Sequence, residues 1–235
     1  MDLRSWIGPL ALSTALIVAA AGIGLALIGP DALGDLFAER PAAGAPHKAE
    51  VTVAGEPLSI PGPLIRFGDQ RRAGAHGRID LAVDWPSLEP AGLESSTDTD
   101  RLGPASTVVF VAIEPRDGEP DTSGRVATVY RRFFVGPEIE GPAGLVGRRM
   151  APGSGYEDEI LFLDPADAAL PFAARCFATT DSGRAEVCLR EIALGDKLLV
   201  AYRFRYPLLA DWRDLDKAVA GLVAGFRRPR PDAGS

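Results

Sequence analysis

Residues 176–206 read CFATTDSGRAEVCLREIALGDKLLVAYRFRY, and this stretch decides the fold. Two turn signals divide it into three alternating apolar–polar runs, the pattern of an antiparallel meander. The first signal is Thr180-Asp181-Ser182-Gly183-Arg184, with Gly where a three-residue loop wants a left-handed residue. A loop that pairs Thr180 with Arg184 also pairs Cys176 with Cys188. Directly opposed residues on neighbouring strands lie about 4.5–5.5 Å apart at Cα, a spacing that a disulfide accepts. The alternative is two unconnected buried thiols. The turn sets the register independently of the cysteines and points to the bridge. With no Cys-x-x-Cys motif in the chain, such a bridge reads as a structural staple rather than a redox centre.

The second signal is Gly195-Asp196, read as a two-residue turn that pairs Leu194 with Lys197. This register predicts a core face of Phe177, Val187, Leu189, Val200, Tyr202, Phe204 and Tyr206. It predicts a polar face of Cys176, Glu186, Cys188, Arg190, Arg203 and Arg205, with Glu186 opposite Arg205.

Beyond the meander, Asp211 is placed as an N-cap, and Trp212, Leu215, Val219, Leu222, Val223 and Phe226 follow at helical spacing. The spacing predicts a helix over 211–227 whose apolar stripe covers the meander. A second helix is predicted over 122–134, with Val126, Val129, Tyr130, Phe133 and Phe134 as its stripe and Thr122 or Ser123 as its cap. Arg78 to Trp85 alternates as a half-buried strand that Pro86 ends. Val108 to Ile113 is apolar on both faces, as in a central strand. Glu157 to Asp164 gives a further strand, and 91–105 and 115–121 read as polar loops. The fold class is α+β, a mainly antiparallel sheet packed by helices.

The layout, ending in a helix laid on an antiparallel sheet, resembles the PsbP-like fold, an analogy of architecture that carries no activity. Four strings also resemble a group of single-span, membrane-anchored extracytoplasmic proteins of GC-rich bacteria. They are Val51-Thr52-Val53-Ala54-Gly55, the run Arg78 to Leu88, Pro171-Phe172-Ala173-Ala174-Arg175-Cys176, and Cys188 through Asp211-Trp212. That resemblance implies a tethered extracytoplasmic domain and supplies no site residues.

At the other end of the chain, Trp6 to Gly29 contains no charged residue. As a helix it would be about 36 Å long, against roughly 20 residues needed to cross a bilayer. A cleaved signal peptide would end near Ala19-Ala20-Ala21, but the apolar run continues to Ile28, which favours an uncleaved anchor. Residues 30–49, with Pro30, Pro41, Gly44 and Pro46, read as a tether. Residues 50–228 form the folded domain and 229–235 a tail. A disulfide requires an oxidising compartment, so the expected arrangement is a single pass through the inner membrane with the domain in the periplasm.

The formal net charge is −7, which leaves no nucleic-acid footprint. The basic residues are 22 Arg and three Lys. The histidines are His47, in the tether, and His76, with no second ligand at metal spacing. Neither a zinc-protease helix motif nor a nucleophile elbow occurs, and no cofactor is expected. Gly141, Gly144 and Gly147 before Arg148 and Arg149 read as a flexible turn rather than a phosphate loop. Glu157-Asp158-Glu159 reads as a solvated strand edge rather than a calcium site.

The most suggestive cluster is Arg71, Arg72, His76 and Arg78, with Arg66 nearby. Guanidinium forks suit phosphate and carboxylate, so the loop is a candidate anion site, set against a plain solvated loop. Arg227, Arg228 and Arg230 pose the same question, although cations there also complement a helix dipole. The resulting expectation is a non-catalytic, membrane-anchored accessory protein that binds an envelope protein, an anionic polymer or lipid. The rival is an enzyme or ligand carrier whose pocket uses carboxylates such as Asp80, Asp84 or Glu186.

Overall fold

Strict alternation places Ile79, Leu81 and Val83 of one strand at 0% exposure, and the same rule repeated strand by strand builds a sheet sealed on one side. The computed structural model describes residues 47–93, 103–167, 170–178 and 185–228. The apolar run Trp6–Gly29, the tether up to residue 46, the turn Thr180–Arg184 and the tail lie outside them. The chain divides into units Met1–Ala45 and Pro46–Ser235, and every described residue belongs to the second. No described helix is long and apolar enough to cross a membrane.

The strands are β1 (Lys48–Val53), β2 (Glu56–Pro61), β3 (Gly74–Ala75), β4 (Ile79–Asp84), β5 (Glu89–Pro90) and β6 (Val108–Pro115), then β7 (Phe134–Glu140), β8 (Val146–Met150), β9 (Glu159–Leu163), β10 (Ala173–Ala178), β11 (Ala185–Leu194) and β12 (Leu198–Arg205). Helix α1 is Thr122–Thr128 and α2 is Trp212–Phe226. Among the described residues, β1 to β3 form a three-stranded sheet of order β2-β1-β3, and the rest a nine-stranded sheet of order β5-β4-β6-β12-β11-β10-β9-β8-β7. Every ladder of the larger sheet is antiparallel. From β7 the chain meanders back strand by strand until β12 meets β6, which makes β6 central as its two-faced apolar pattern requires. The α+β class therefore holds for the folded domain. β1 begins at Lys48, two residues inside the stretch assigned to the tether.

Cys176 lies directly opposite Cys188 in the β10–β11 ladder. The two are joined as a disulfide, with Cα atoms 4.0 Å apart. The second hairpin departs from expectation. Leu194 pairs with Leu198 rather than Lys197, because the loop is Gly195-Asp196-Lys197, with Gly195 at φ 70°. Lys197 is thereby released to ion-pair with Glu56 of β2 at 3.3 Å. A one-residue slip exchanges the faces of a strand. Cys176, Cys188 and Arg190 consequently point into the core beside Val200, Tyr202 and Phe204, whereas Phe177 is 41% exposed. Val187, not Glu186, stands opposite Arg205.

The sealed face carries Ile79, Leu81 and Val83 of β4, Val109, Val111 and Ile113 of β6, and Ile160 and Phe162 of β9. Leu215, Val219, Val223 and Phe226 of α2 and Val51, Val53, Leu58 and Ile60 of the small sheet belong to the same core. Gly147 is a strand residue of β8 rather than part of a turn; a Cβ there would lie 2.9 Å from Phe162, so close packing excludes a side chain. Asp211 precedes α2 without capping it; its carboxylate accepts from Trp85 Nε1 at 3.0 Å.

The other face is covered in two places. Helix α1 is shorter than the periodicity predicts. It ends at Thr128, continues as a 3-10 turn over Tyr130–Phe133 and gives way to β7 at Phe134. Its cap is Asp121, which accepts from Gly124 N–H at 3.0 Å and also from Ala193 N–H of β11. Val126 and Tyr130 pack there on Met150, Leu161 and Ala173. Towards the opposite edge, Ala91 and Leu93 pack on Ala82, Val108 and Phe110.

Candidate functional site

The predicted basic loop does not gather its cations around a common point. Arg71 donates through Nε and Nη2 to the Ile65 carbonyl, at 3.2 and 2.9 Å. His76 Nε2 is 2.8 Å from the Arg72 carbonyl. Arg78 pairs with Asp80 at 2.7 Å and with Glu114 at 3.6 Å, and the hydrogen bond to Asp80 outweighs desolvation to raise its pKa. Arg72 remains exposed. The loop is instead folded along the outer edge of β4, where Arg66 N–H donates to the Asp80 carbonyl and the Gln70 side chain brackets Asp80.

The rival's carboxylates do not converge either. Asp80 is held by Arg78 and Gln70, and Asp84 lies four residues on, about 13 Å along an extended strand. Glu186 belongs to a different strand, β11. Asp84 lines a shallow pocket of about 390 Å³ with Gly103, Ser106, Thr107 and Val108, and is the carboxylate among its lining residues.

Two charged clusters are buried. On the sealed side Arg190, 6% exposed, donates to both oxygens of Asp216 at 2.7 and 3.2 Å, to Ser123 Oγ at 2.8 Å and to the Ala173 carbonyl at 3.0 Å. Tyr202 donates to Asp216 at 2.7 Å, and the Phe172 ring lies 4.5 Å from the guanidinium. Burial alone would lower the Arg190 pKa; the Asp216 carboxylate reverses that and leaves it raised. Burial and Asp216 together push Tyr202 well above the ordinary phenol range. This network ties α1, β10, β11, β12 and α2 together.

On the opposite side Glu159, 8% exposed, accepts from Arg175 at 3.3 Å. It is not the solvated edge that its acidic neighbours suggest. Burial raises its pKa and Arg175 only partly offsets that. The Tyr156 ring stands edge-on to Tyr130 at 5.3 Å and under Arg175 at 5.7 Å. Tyr130 Oη, Glu159 Oε2 and Arg175 Nε are buried without a hydrogen-bond partner among the described residues. Alongside, Arg125 pairs with Glu191, which also accepts from Thr122.

Between the two covered places the sheet lies open among the described residues. The register puts Phe177, Val187 and Arg205 in one row across β10, β11 and β12, and Arg175, Leu189, Arg203 and Phe110 in the next, reaching β6. Phe177 is 41% exposed and Phe67 42%. Val187, Leu189 and Phe110 are half-buried and Arg203 is exposed. Arg66 stacks on Phe110 and Phe67, 4.8 and 4.9 Å from the ring centroids. No carboxylate pairs with Arg66 or Arg203 among the described residues. Phe177, Leu189 and Phe67 were not recognisable from sequence as surface residues. Phe177 and Leu189 alternate as core residues do, and only the three-residue loop at Gly195 turns them outward. Arg203 lies on the polar side of β12 as its pattern predicts, but opposite Leu189 and Phe110 rather than Cys188.

No family model matches the chain, and no curated protein matches its sequence. Among solved structures, the chain is similar to Smlt3025, an immunity protein of the Stenotrophomonas maltophilia type IV secretion system. Identity is 14%, the TM-score is 0.55, and the match covers 81% of this chain and 98% of that one. It is also similar to the iron-regulated outer membrane lipoprotein FrpD of Neisseria meningitidis, at 14% identity and a TM-score of 0.43, covering 77% and 92%. At this identity the first likeness establishes a shared fold.

Proposed function

We propose that the chain is a non-catalytic binding protein, held in the inner membrane by its N-terminal apolar run, with the folded domain in the periplasm. The observation that carries the binding reading is the open sheet face over β11 and β12. It combines exposed aromatic and arginine side chains, the residue types that dominate recognition surfaces. The carboxylates of buried Glu159 and half-buried Asp216 are tied to Arg175 and Arg190, which suits them to holding structure rather than to turning over a substrate. The disulfide supports the compartment, because cytosolic thiols stay reduced.

The test is made on native membranes. Thiol labelling of the denatured, non-reduced protein is expected to leave Cys176 and Cys188 unmodified. Alkaline carbonate is expected to leave the chain in the membrane pellet, and a protease supplied from the periplasmic side is expected to reach it. Two reactive thiols, or a soluble chain trimmed near Ala21, would overturn the reading.

The immunity protein of similar fold suggests a narrower version for test, in which the bound partner is a toxin. Cells deprived of this chain would then be poisoned by siblings that keep it. Equal survival of both strains in mixed culture would remove that version and leave the binding reading intact.

A further inference from the structure

Resting on the binding reading, we propose that the occupant of the open face is a single acidic amphipathic helix of a partner protein. Three observations set this occupant. The first is width. The floor runs from β10 to β6 across three inter-strand gaps, about 14 Å in all, and an α-helix with its side chains is about 10–12 Å across. Helix α1 and its 3-10 turn bound the floor on one side, and Arg66 and Phe67 bound it on the other.

The second is backbone pairing. The floor lies in the middle of the sheet, where β10, β11, β12 and β6 each have a neighbour on both sides. No free strand edge is offered there, so a partner cannot add as an extra strand and must be read by side chains, as in helix-in-groove recognition.

The third is charge. The carboxylates bordering the floor are already matched: Glu159 by Arg175, Glu191 by Arg125, and Asp80 and Glu114 by Arg78. Arg66 and Arg203 have no such carboxylate among the described residues. Arg203 borders the apolar strip of Phe177, Val187 and Leu189 on its β12 side, and Arg66 lies further across, over Phe110. A helix with an aliphatic stripe and carboxylates on its flanks complements the apolar strip and the two arginines locally. A flat anionic bilayer or an extended polyanion would meet the arginines but leave the apolar strip without an apolar partner.

The probe is a synthetic peptide of about five helical turns, with Leu at i, i+3, i+4 and i+7 and Glu on the flanks. It is titrated by fluorescence anisotropy against the full chain in nanodiscs of zwitterionic lipid. Controls are the same composition scrambled to destroy the stripe, polyglutamate, and vesicles containing phosphatidylglycerol. The amphipathic peptide is expected to bind at least about tenfold more tightly than the scrambled one (about 1.4 kcal/mol), and more weakly as salt rises. Arg203→Glu is expected to weaken it about tenfold or more, and Arg149→Glu, on the exposed part of β8, to leave it unchanged. Equal binding of the scrambled peptide, preference for polyglutamate or vesicles, indifference to Arg203→Glu, or no binding would each overturn the helix assignment.

A separate readout tests the binding reading alone. A photo-crosslinking side chain at position 189 of the full chain is activated in native membranes, with position 149 as the control. An adduct specific to position 189 without peptide binding removes the helix and keeps the binding reading. Failure of both removes both.

Discussion

The two faces of the nine-stranded sheet come from the same alternating strands and end in opposite conditions. On the sealed face α2 and the small sheet cover the aliphatic residues of β4, β6, β9 and β12. The guanidinium buried there, Arg190, finds both oxygens of Asp216, a hydroxyl and a carbonyl. On the open face, among the described residues, α1 and its cap reach β11 at Glu191 and Ala193, and the stretch of β11 and β12 around Leu189 and Arg203 is left uncovered. Phe177 is left exposed, and Tyr130 Oη, Glu159 Oε2 and Arg175 Nε are buried without a hydrogen-bond partner among the described residues. A satisfied polar network rigidifies and specifies a core, whereas unsatisfied or uncovered groups raise the free energy of a surface until something binds it. The difference assigns stability to one face and recognition to the other.

Removing the sealed face's polar partner is the harshest way to break that division. Asp216→Ala leaves a buried guanidinium uncompensated, and is expected to cost about 3–5 kcal/mol in urea unfolding. Replacing the pair together, Arg190→Met with Asp216→Leu, is expected to cost much less, because no charge is then stranded. If the single and double variants cost the same, the pair is not the closed unit described above. Next in size is the staple. Replacing Cys176 and Cys188 by Ala is expected to lower stability by about 3 kcal/mol under oxidising conditions, and to leave the midpoint insensitive to reductant. A wild-type midpoint equally insensitive to reductant would mean that the bridge contributes nothing to the sealed face.

How much of this was legible in the sequence follows the range of the interactions. The opposition of Cys176 and Cys188 is local, two strands joined by a short connection, although the ladder shifts by one residue between Phe177 and Ala178, so the register counted from the turn does not run unbroken to the bridge. The stripe of α2 and the alternation of β4 are local too, and each lies where the periodicity puts it. The register of β12 is different. Gly195-Asp196 reads as a two-residue turn, but the loop takes in Lys197, which reaches Glu56 on a strand remote in sequence. That slip decides which of Cys188 and Leu189 faces the core. Arg190 is core only because Asp216 and Ser123 arrive from 26 and 67 residues away. The open face was least legible, since a surface is defined by what fails to cover it. The basic loop stands out by its composition, yet Arg71 and Arg78 are occupied with Ile65, Asp80 and Glu114. Of its wider group, Arg66 reaches the floor.

The Glu159–Arg175 pair sharpens the comparison from the open side. Burial raises the folded-state pKa of Glu159 above that of the unfolded chain, so the folded protein holds the proton more tightly. Its contribution to stability is therefore present at acid pH and is lost as pH rises from the ordinary carboxylate range through the raised value. Glu159→Gln keeps a hydrogen-bond acceptor for Arg175 but cannot ionise. The variant is expected to lose that downward slope and to equal or exceed the parent by about 1 kcal/mol at neutral pH. Urea unfolding at closely spaced pH values checks the sign. A variant markedly less stable than the parent at neutral pH would show that the charge pair, not the desolvation, dominates there. The open face would then be as well satisfied as the sealed one.

The smallest expected effect on stability separates the faces most cleanly. Arg203 is exposed on β12, one residue from Tyr202, which is 1% exposed. The two side chains point to opposite sides of the same strand. Arg203→Glu removes no buried contact and no ion pair to a described carboxylate, so its unfolding free energy is expected to stay within about 0.5 kcal/mol of the parent. Tyr202→Phe, its immediate neighbour, deletes the hydroxyl bonded to Asp216 and is expected to cost about 1 kcal/mol or more. A face kept for recognition should tolerate the charge reversal and lose only binding. If Arg203→Glu unfolded the protein as readily as Tyr202→Phe, the arginine would be part of the scaffold, and the division between a face that holds the fold and a face that meets a partner would not exist.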